Sequence, residues 1–213
     1  MTAPERLRSQ IARDLKPTRP LRSPGVRALA LGPLAMATVV AVPLVMIFRS
    51  DMAQLGVLRA WGLSFAEALA GIAVVALALR EAVPGRALSR PALAATFVLG
   101  LAVPLGILAL TATSYSVGSP QFDFGETVVC FRTSFAAAVL PLLVATVLVA
   151  RALPLRPGVA GALYGLGCGL VADAGLRLYC DYTIPAHFLT AHAGAVLASV
   201  GAGALLGFVT RQP

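Results

Sequence analysis

The chain has 213 residues, 58% of them hydrophobic and only 12% charged, with a mean hydropathy of +0.85. Soluble domains carry about 25% charged residues, so the charge here is too sparse to clothe a water-exposed surface, and a soluble globular fold is excluded. The formal charge of +8 does not signal direct nucleic-acid binding, because seven of the 17 basic residues fall between Arg6 and Arg27 and most others sit in short gaps between apolar runs, a topology pattern.

The first element is a tail, residues 1–27. Pro4–Leu15 can form a short helix with Leu7, Ile11 and Leu15 on one stripe, and Pro17, Pro20 and Pro24 then force an extended connection. So short a helix is marginal alone in water, so the tail orders only against something, either anionic headgroups meeting its arginines or a docked partner.

Residues 28–213 form the second region, with six apolar stretches near the ~20 residues that span a hydrocarbon core. They are Ala28–Phe48, Trp61–Leu79, Pro91–Thr113, Ser134–Leu153, Gly158–Leu176 and Ile184–Val209. The first follows a long polar segment and is succeeded by no small-residue cleavage site, so it reads as a retained helix and not a signal peptide. None of the runs alternates as barrel strands do, and backbone groups cannot go unpaired in lipid, so all six are expected to be helices. The fold expected is an all-α integral membrane protein, a six-transmembrane-helix bundle with both termini cytoplasmic. With the N-terminus inside, thirteen basic residues are cytoplasmic and four (Arg49, Arg59, Arg132 and Arg177) are outside.

The long outer loop, Ser114–Thr133, then carries Asp123, Glu126 and Cys130, and a short one, Tyr179–Thr183, carries Cys180 and Asp181. Gly161, Gly165 and Gly169 in the fifth helix, and Ser199, Gly203 and Gly207 in the sixth, are small-residue ladders for close backbone approach.

Ionisable residues inside a membrane are costly and mark functional sites by default. Glu67, Asp173, His187 and His192 all fall in the outer half of the expected bilayer, bordered by Cys130 and Cys180. Glu67 and Asp173 have Arg59 and Arg177 as candidate partners. His187 and His192 are five apart, which on an ideal helix turns them about 140° from each other, so joint chelation is not expected and each reads as a packing histidine. Cys168 lies mid-membrane and reads as a small buried hydrophobe. It is about 18 Å in helical rise from Cys180, too far to bridge. The pair placed to bridge in an oxidising compartment is Cys130–Cys180, as a static staple or a redox switch. There is no CxxC, P-loop, GxSxG, HExxH or dinucleotide fingerprint. No enzyme activity and no cofactor are expected.

Asp14-Leu15-Lys16-Pro17-Thr18-Arg19-Pro20-Leu21 before the first helix resembles the start of the NrsF-type anti-sigma factors. So do Ala82-Val83-Pro84-Gly85-Arg86, Pro154-Leu155-Arg156-Pro157-Gly158 with Ala160-Gly161, and Cys180 followed by His187-Phe188-Leu189-Thr190-Ala191-His192. The matches are in order and cover almost the whole chain. The chain departs from that family's pattern at Ala191, where an aromatic residue is frequent ahead of the second histidine.

The resemblance implies a six-helix bacterial inner-membrane regulator that holds an extracytoplasmic-function sigma factor and releases it under metal or oxidative stress. It further implies that Cys130 and Cys180 are the sensing residues, with Cys130, Cys180 and His187 as candidates if a metal binds. The sigma-docking segment would lie in the tail, among Leu7, Ile11, Asp14, Leu15, Pro17, Arg19 and Pro20.

A small proton- or cation-coupled transporter using the same intramembrane residues is the alternative function, though helices one, three and four offer no ionisable residue for an inner half-path. A haem or quinone enzyme would need axial histidines on facing helices, whereas both lie on the sixth. Oligomeric state is left open by the sequence.

Overall fold

The computed structural model describes residues 3–14, 20–112, 122–182 and 184–210, so the tail residues Leu15, Pro17 and Arg19 lie outside the described residues. Among the described residues there is no strand, and six helices are long and apolar enough to cross a membrane. The chain is a multi-pass helical membrane protein.

The tail helix α1 (Ala3–Asp14) leaves Leu7 and Ile11 exposed on its surface. The first span, Pro24–Met46, is built from α2 (Pro24–Leu29) and α3 (Gly32–Met46), and the short α4 (Met52–Leu55) follows. Then come α5 (Val57–Glu81), α6 (Arg90–Ala112), α7 (Phe124–Ala150) and α8 (Pro157–Leu176). The last span combines α9 (Pro185–His187), a π-helical segment (Phe188–Ala193) and α10 (Gly194–Val209). We call the end of the bundle where α2 begins proximal, and the end bearing the α8–α9 connection distal.

Helix α8 is the axis, packed against α3, α5, α6, α7 and α10. Its glycines explain how five neighbours fit. A Cβ at Gly161 would lie 2.2 Å from the Gly203 carbonyl oxygen, and one at Gly165 2.3 Å from that of Ser199. The ladders of α8 and α10 therefore meet face to face, as their spacing predicts. A second close crossing, not apparent as a ladder in the sequence, sets Gly167 against Gly71 of α5, and Gly175 meets α3 at Thr38. Cys168 is buried in the apolar core beside Ala145, Tyr164 and Ala172, as expected of a small hydrophobe.

Arginines satisfy the carbonyls that helix C-termini leave unpaired in an apolar medium. Arg27 donates to the Leu148 carbonyl near the end of α7, and Arg59 to that of Leu110 at the end of α6. Arg49 caps α8 through the carbonyl of Arg177 (3.0 Å) while pairing with Asp51. At the proximal end Glu81 accepts from Arg156 (2.7 Å) and from the Leu88 amide (2.6 Å), clasping the end of α5 to the start of α8.

One boundary differs from the sequence reading in a way that matters. Helix α7 starts at Phe124, not near Ser134, because Asp123 caps it by accepting from the Glu126 amide (3.1 Å) and Glu126 places a negative charge in the first turn. Cys130 is therefore a buried helical residue, 1% exposed, and not part of a loop.

Candidate functional site

Three elements deliver the distal cluster. The first two turns of α7 bring Thr127 and Cys130 inward, both buried. After α8 the chain makes a tight turn, with the Cys180 amide bonded to the Leu176 carbonyl (2.8 Å), which holds Cys180 against the helix end. Pro185 then opens the last span and sets His187 in its first turn.

The Sγ atoms of Cys130 and Cys180 and a ring nitrogen of His187 all lie within 4.8 Å of one another, and all three residues are buried. Both cysteines are free thiols. His187 Nε2 is 3.3 Å from Cys180 Sγ, and its Nδ1 is 3.0 Å from Thr127 Oγ1. The Thr127 hydroxyl spends its one proton on the Asp123 carbonyl (2.6 Å), so it accepts from His187 Nδ1–H. That leaves Nε2 facing the sulfur. The Tyr182 ring stacks on His187, with centroids 4.7 Å apart. Cys180 is held well below the ordinary thiol range, chiefly because Cys130 donates a hydrogen bond to it, against burial, with His187 and His192 adding to the effect.

His192 stands beside His187, with ring centroids 5.8 Å apart. The 140° separation expected of an ideal helix does not apply, because Phe188–Ala193 is π-helical. Residues five apart return to the same side when hydrogen bonds run i to i+5, and such bulges recur at functional sites. His192 Nδ1 is 2.7 Å from Asp173 Oδ1.

Asp173 leads onward to Arg177, one turn later on the same face. The Arg177 guanidinium binds Glu67 of α5 (Nε to Oε2, 2.6 Å) and the Pro104 carbonyl of α6 (3.1 Å), and lies 3.1 Å from Asp173 Oδ2. It also sits over the Phe188 ring, 5.5 Å from its centroid. Two carboxylates thus share one guanidinium, and Glu67 Oε1 and Asp173 Oδ2 remain without a hydrogen-bond donor.

The four ionisable residues (Glu67, Asp173, His187, His192) and the two outer-side cysteines (Cys130, Cys180) picked out in the sequence therefore meet in one connected network. Of the two arginines offered as partners, Arg177 takes both acids. Sequence reasoning missed Thr127 and Tyr182 as its walls. It also missed the π segment, whose only trace was the i, i+5 histidine spacing after Pro185.

A family model described as negative regulator of sigma F, NrsF, matches residues 11–210. The chain belongs to the NrsF family. Membership carries negative regulation of a sigma factor and a sigma factor as partner, and the network described above is the polar interior of an NrsF bundle. No curated protein and no solved structure matches the chain.

Proposed function

We propose that this NrsF protein is an anti-sigma factor of the bacterial inner membrane, not an enzyme, that retains an extracytoplasmic-function sigma factor on its N-terminal tail. It releases that factor when Cys130 and Cys180 react with metal or oxidant. The observation that carries the sensing role is the convergence of both thiols with His187 in one buried cluster.

The proximal end faces the cytoplasm. Arg80, Arg86, Arg90, Arg151 and Arg156 gather there, while the distal Arg49 and Arg177 are neutralised by Asp51, Glu67 and Asp173. The thiols then face the periplasm, where disulfide formation or thiol modification is available to them.

A route to the tail supports the same reading. Helices α5 and α8 are joined by an arginine–glutamate pair at each end, Arg177–Glu67 distally and Arg156–Glu81 proximally. Helix α2, where the tail enters the bundle, packs on α5. A change around Cys180 that pulls on His192 and Asp173 displaces Arg177, and with it the α5–α8 pair as a unit.

The test is co-purification from unstressed cells with the intact chain and with residues 1–27 removed. A sigma factor recovered only with the intact tail is expected. No sigma factor with either form would overturn the proposal and move attention to ion flux through the Glu67–Asp173 network. Cys130→Ser and Cys180→Ser should each retain the sigma factor but lose stress induction.

A further inference from the structure

We propose that the groove between α2 and α5 at the proximal end binds the headgroup of one anionic glycerophospholipid, of the phosphatidylglycerol type, with Arg80 and Arg86 on its phosphate. The site depends neither on the sensing role of the cysteines nor on what the tail holds.

The local sequence explains why two arginines meet there. Arg80 lies in the last turn of α5, and the chain then reverses through Val83-Pro84-Gly85-Arg86. The Arg86 amide donates to the Val83 carbonyl (3.0 Å), and Gly85 has a φ of 79°. Proline second and glycine third, with a positive φ at the glycine, is the pattern of a type II turn. The turn folds Arg86 back beside the end of α5. With Arg80, Ala76, Leu77, Pro24 and Gly25 it lines a groove of about 370 Å3.

Charge selects the occupant. Both arginines are exposed, and among the described residues neither side chain has a hydrogen-bond or ion-pair partner. Glu81, the acid next to Arg80, is already taken by Arg156 (2.7 Å) and the Leu88 amide (2.6 Å). Arg27, the buried arginine of α2, is turned to the Leu148 carbonyl instead. The groove therefore offers two forked sets of N–H donors with no acceptor, which is what the oxygens of a phosphodiester fit.

Depth selects a lipid over a soluble anion. Beneath Arg80 the outward face of α5 continues through Leu77, Ala73 and Leu69 at helical spacing, and none of the three is buried. A phosphate held at the end of α5 thus has an apolar strip below it for its own acyl chain. Basic pockets between transmembrane helices on the cytoplasmic side are where anionic headgroups lodge. A lipid seated there touches α2, α5 and the turn after α5 together. It steadies α2, through which the tail enters the bundle, against α5.

The experiment uses the full chain in phosphatidylcholine nanodiscs or micelles, with no sigma factor and no metal added. Phosphatidylglycerol is titrated and the retained lipid is counted by native mass spectrometry. One phosphatidylglycerol per chain above the phosphatidylcholine background is expected, a comparison that needs no substitution. Arg80→Gln and Arg86→Gln should each weaken retention about fivefold, and the two together about thirtyfold. Gly25→Trp should also weaken it by filling the groove without altering charge, since nothing lies within 4 Å of a Cβ added there. Arg90→Gln, at the start of α6 and outside the groove, should leave retention unchanged. Thermal unfolding in phosphatidylcholine alone should be the same for parent and variants, with phosphatidylglycerol raising the Tm of the parent but not of the double variant. Retention no better than that of phosphatidylcholine would overturn the site. So would an equal loss in Arg90→Gln, which would assign binding to general surface charge, or displacement of the lipid by inorganic phosphate at equal concentration.

Discussion

Helices α8 and α6 are close in length and opposite in surroundings: 89% of the membrane window of α8 is buried inside the protein, against 22% for α6. The buried helix is the less apolar one. In water the reverse would hold, but within lipid there is nothing to gain by hiding leucine from acyl chains. What a central helix needs there is a thin backbone for close packing and polar groups that would be costly against lipid. Helix α8 has both, in its glycines and in Tyr164 and Asp173, whereas α6 turns Val98, Leu99, Leu105 and Leu110 outward.

The largest effect is expected where α8 ends. Arg177 is 8% exposed and serves Glu67 and Asp173 together. Arg177→Ala leaves the buried Glu67 carboxylate uncompensated and Asp173 with His192 alone, and losing one partner of a buried pair costs about 3–5 kcal/mol. Unfolding in detergent micelles should show a loss of that size, with Glu67→Gln added to Arg177→Ala recovering part of it. No recovery would mean that Arg177 acts through its contacts with Pro104 and Phe188 and not through charge.

The next contrast sets glycine against glycine. A side chain at Gly165 meets the Ser199 carbonyl at 2.3 Å and the Val200 Cα at 2.9 Å, both backbone atoms that cannot rotate away. Gly165→Leu must drive α8 from α10, at about 1–3 kcal/mol or more. Gly106 of α6 has nothing within 4 Å of its added Cβ, so Gly106→Leu should stay within about 0.5 kcal/mol of the parent. Equal losses at both positions would refute the division into a packed axis and a lipid-facing helix.

These particulars show what the sequence made legible. Six spans follow from hydropathy because lipid demands long apolar helices, and the α8–α10 contact follows from glycines repeating every fourth residue. The four ionisable residues were identifiable because each is costly in a membrane, and the two cysteines because they lie in the outer connections bordering them. Their arrangement was not. It depends on Asp123 extending α7 to include Cys130, and on a π turn rotating His192 beside His187. Propensity sees neither, since capping moved the boundary by more than two turns and a π turn differs from an α turn by one residue of register. The Gly71–Gly167 crossing was hidden for a related reason, as two single glycines on separate helices form no ladder.

The smallest expected effect tests how far polar contacts, as opposed to glycine packing, hold the axis together. The Tyr164 hydroxyl donates to the Gly203 carbonyl (2.9 Å) and lies 2.9 Å from Thr146 Oγ1, linking α8 to α10 and α7. Tyr164→Phe removes these contacts, and a hydrogen bond of this kind contributes about 1 kcal/mol. Two features lower the cost. Thr146 already reaches its own helix at the Leu142 carbonyl (2.8 Å), and a cavity of about 150 Å3 lined by Thr146, Tyr164, Gly207 and Thr210 has room and polar partners for a replacing water. Among the described residues Thr111 on α6 bonds within its own helix, to Ile107 (2.9 Å) and Leu108 (3.0 Å), so Thr111→Val should be near neutral. If Tyr164→Phe destabilises the protein as much as Gly165→Leu, hydrogen bonding and not backbone proximity sets the α8–α10 contact. A loss well below that of Gly165→Leu leaves the glycines as the cause.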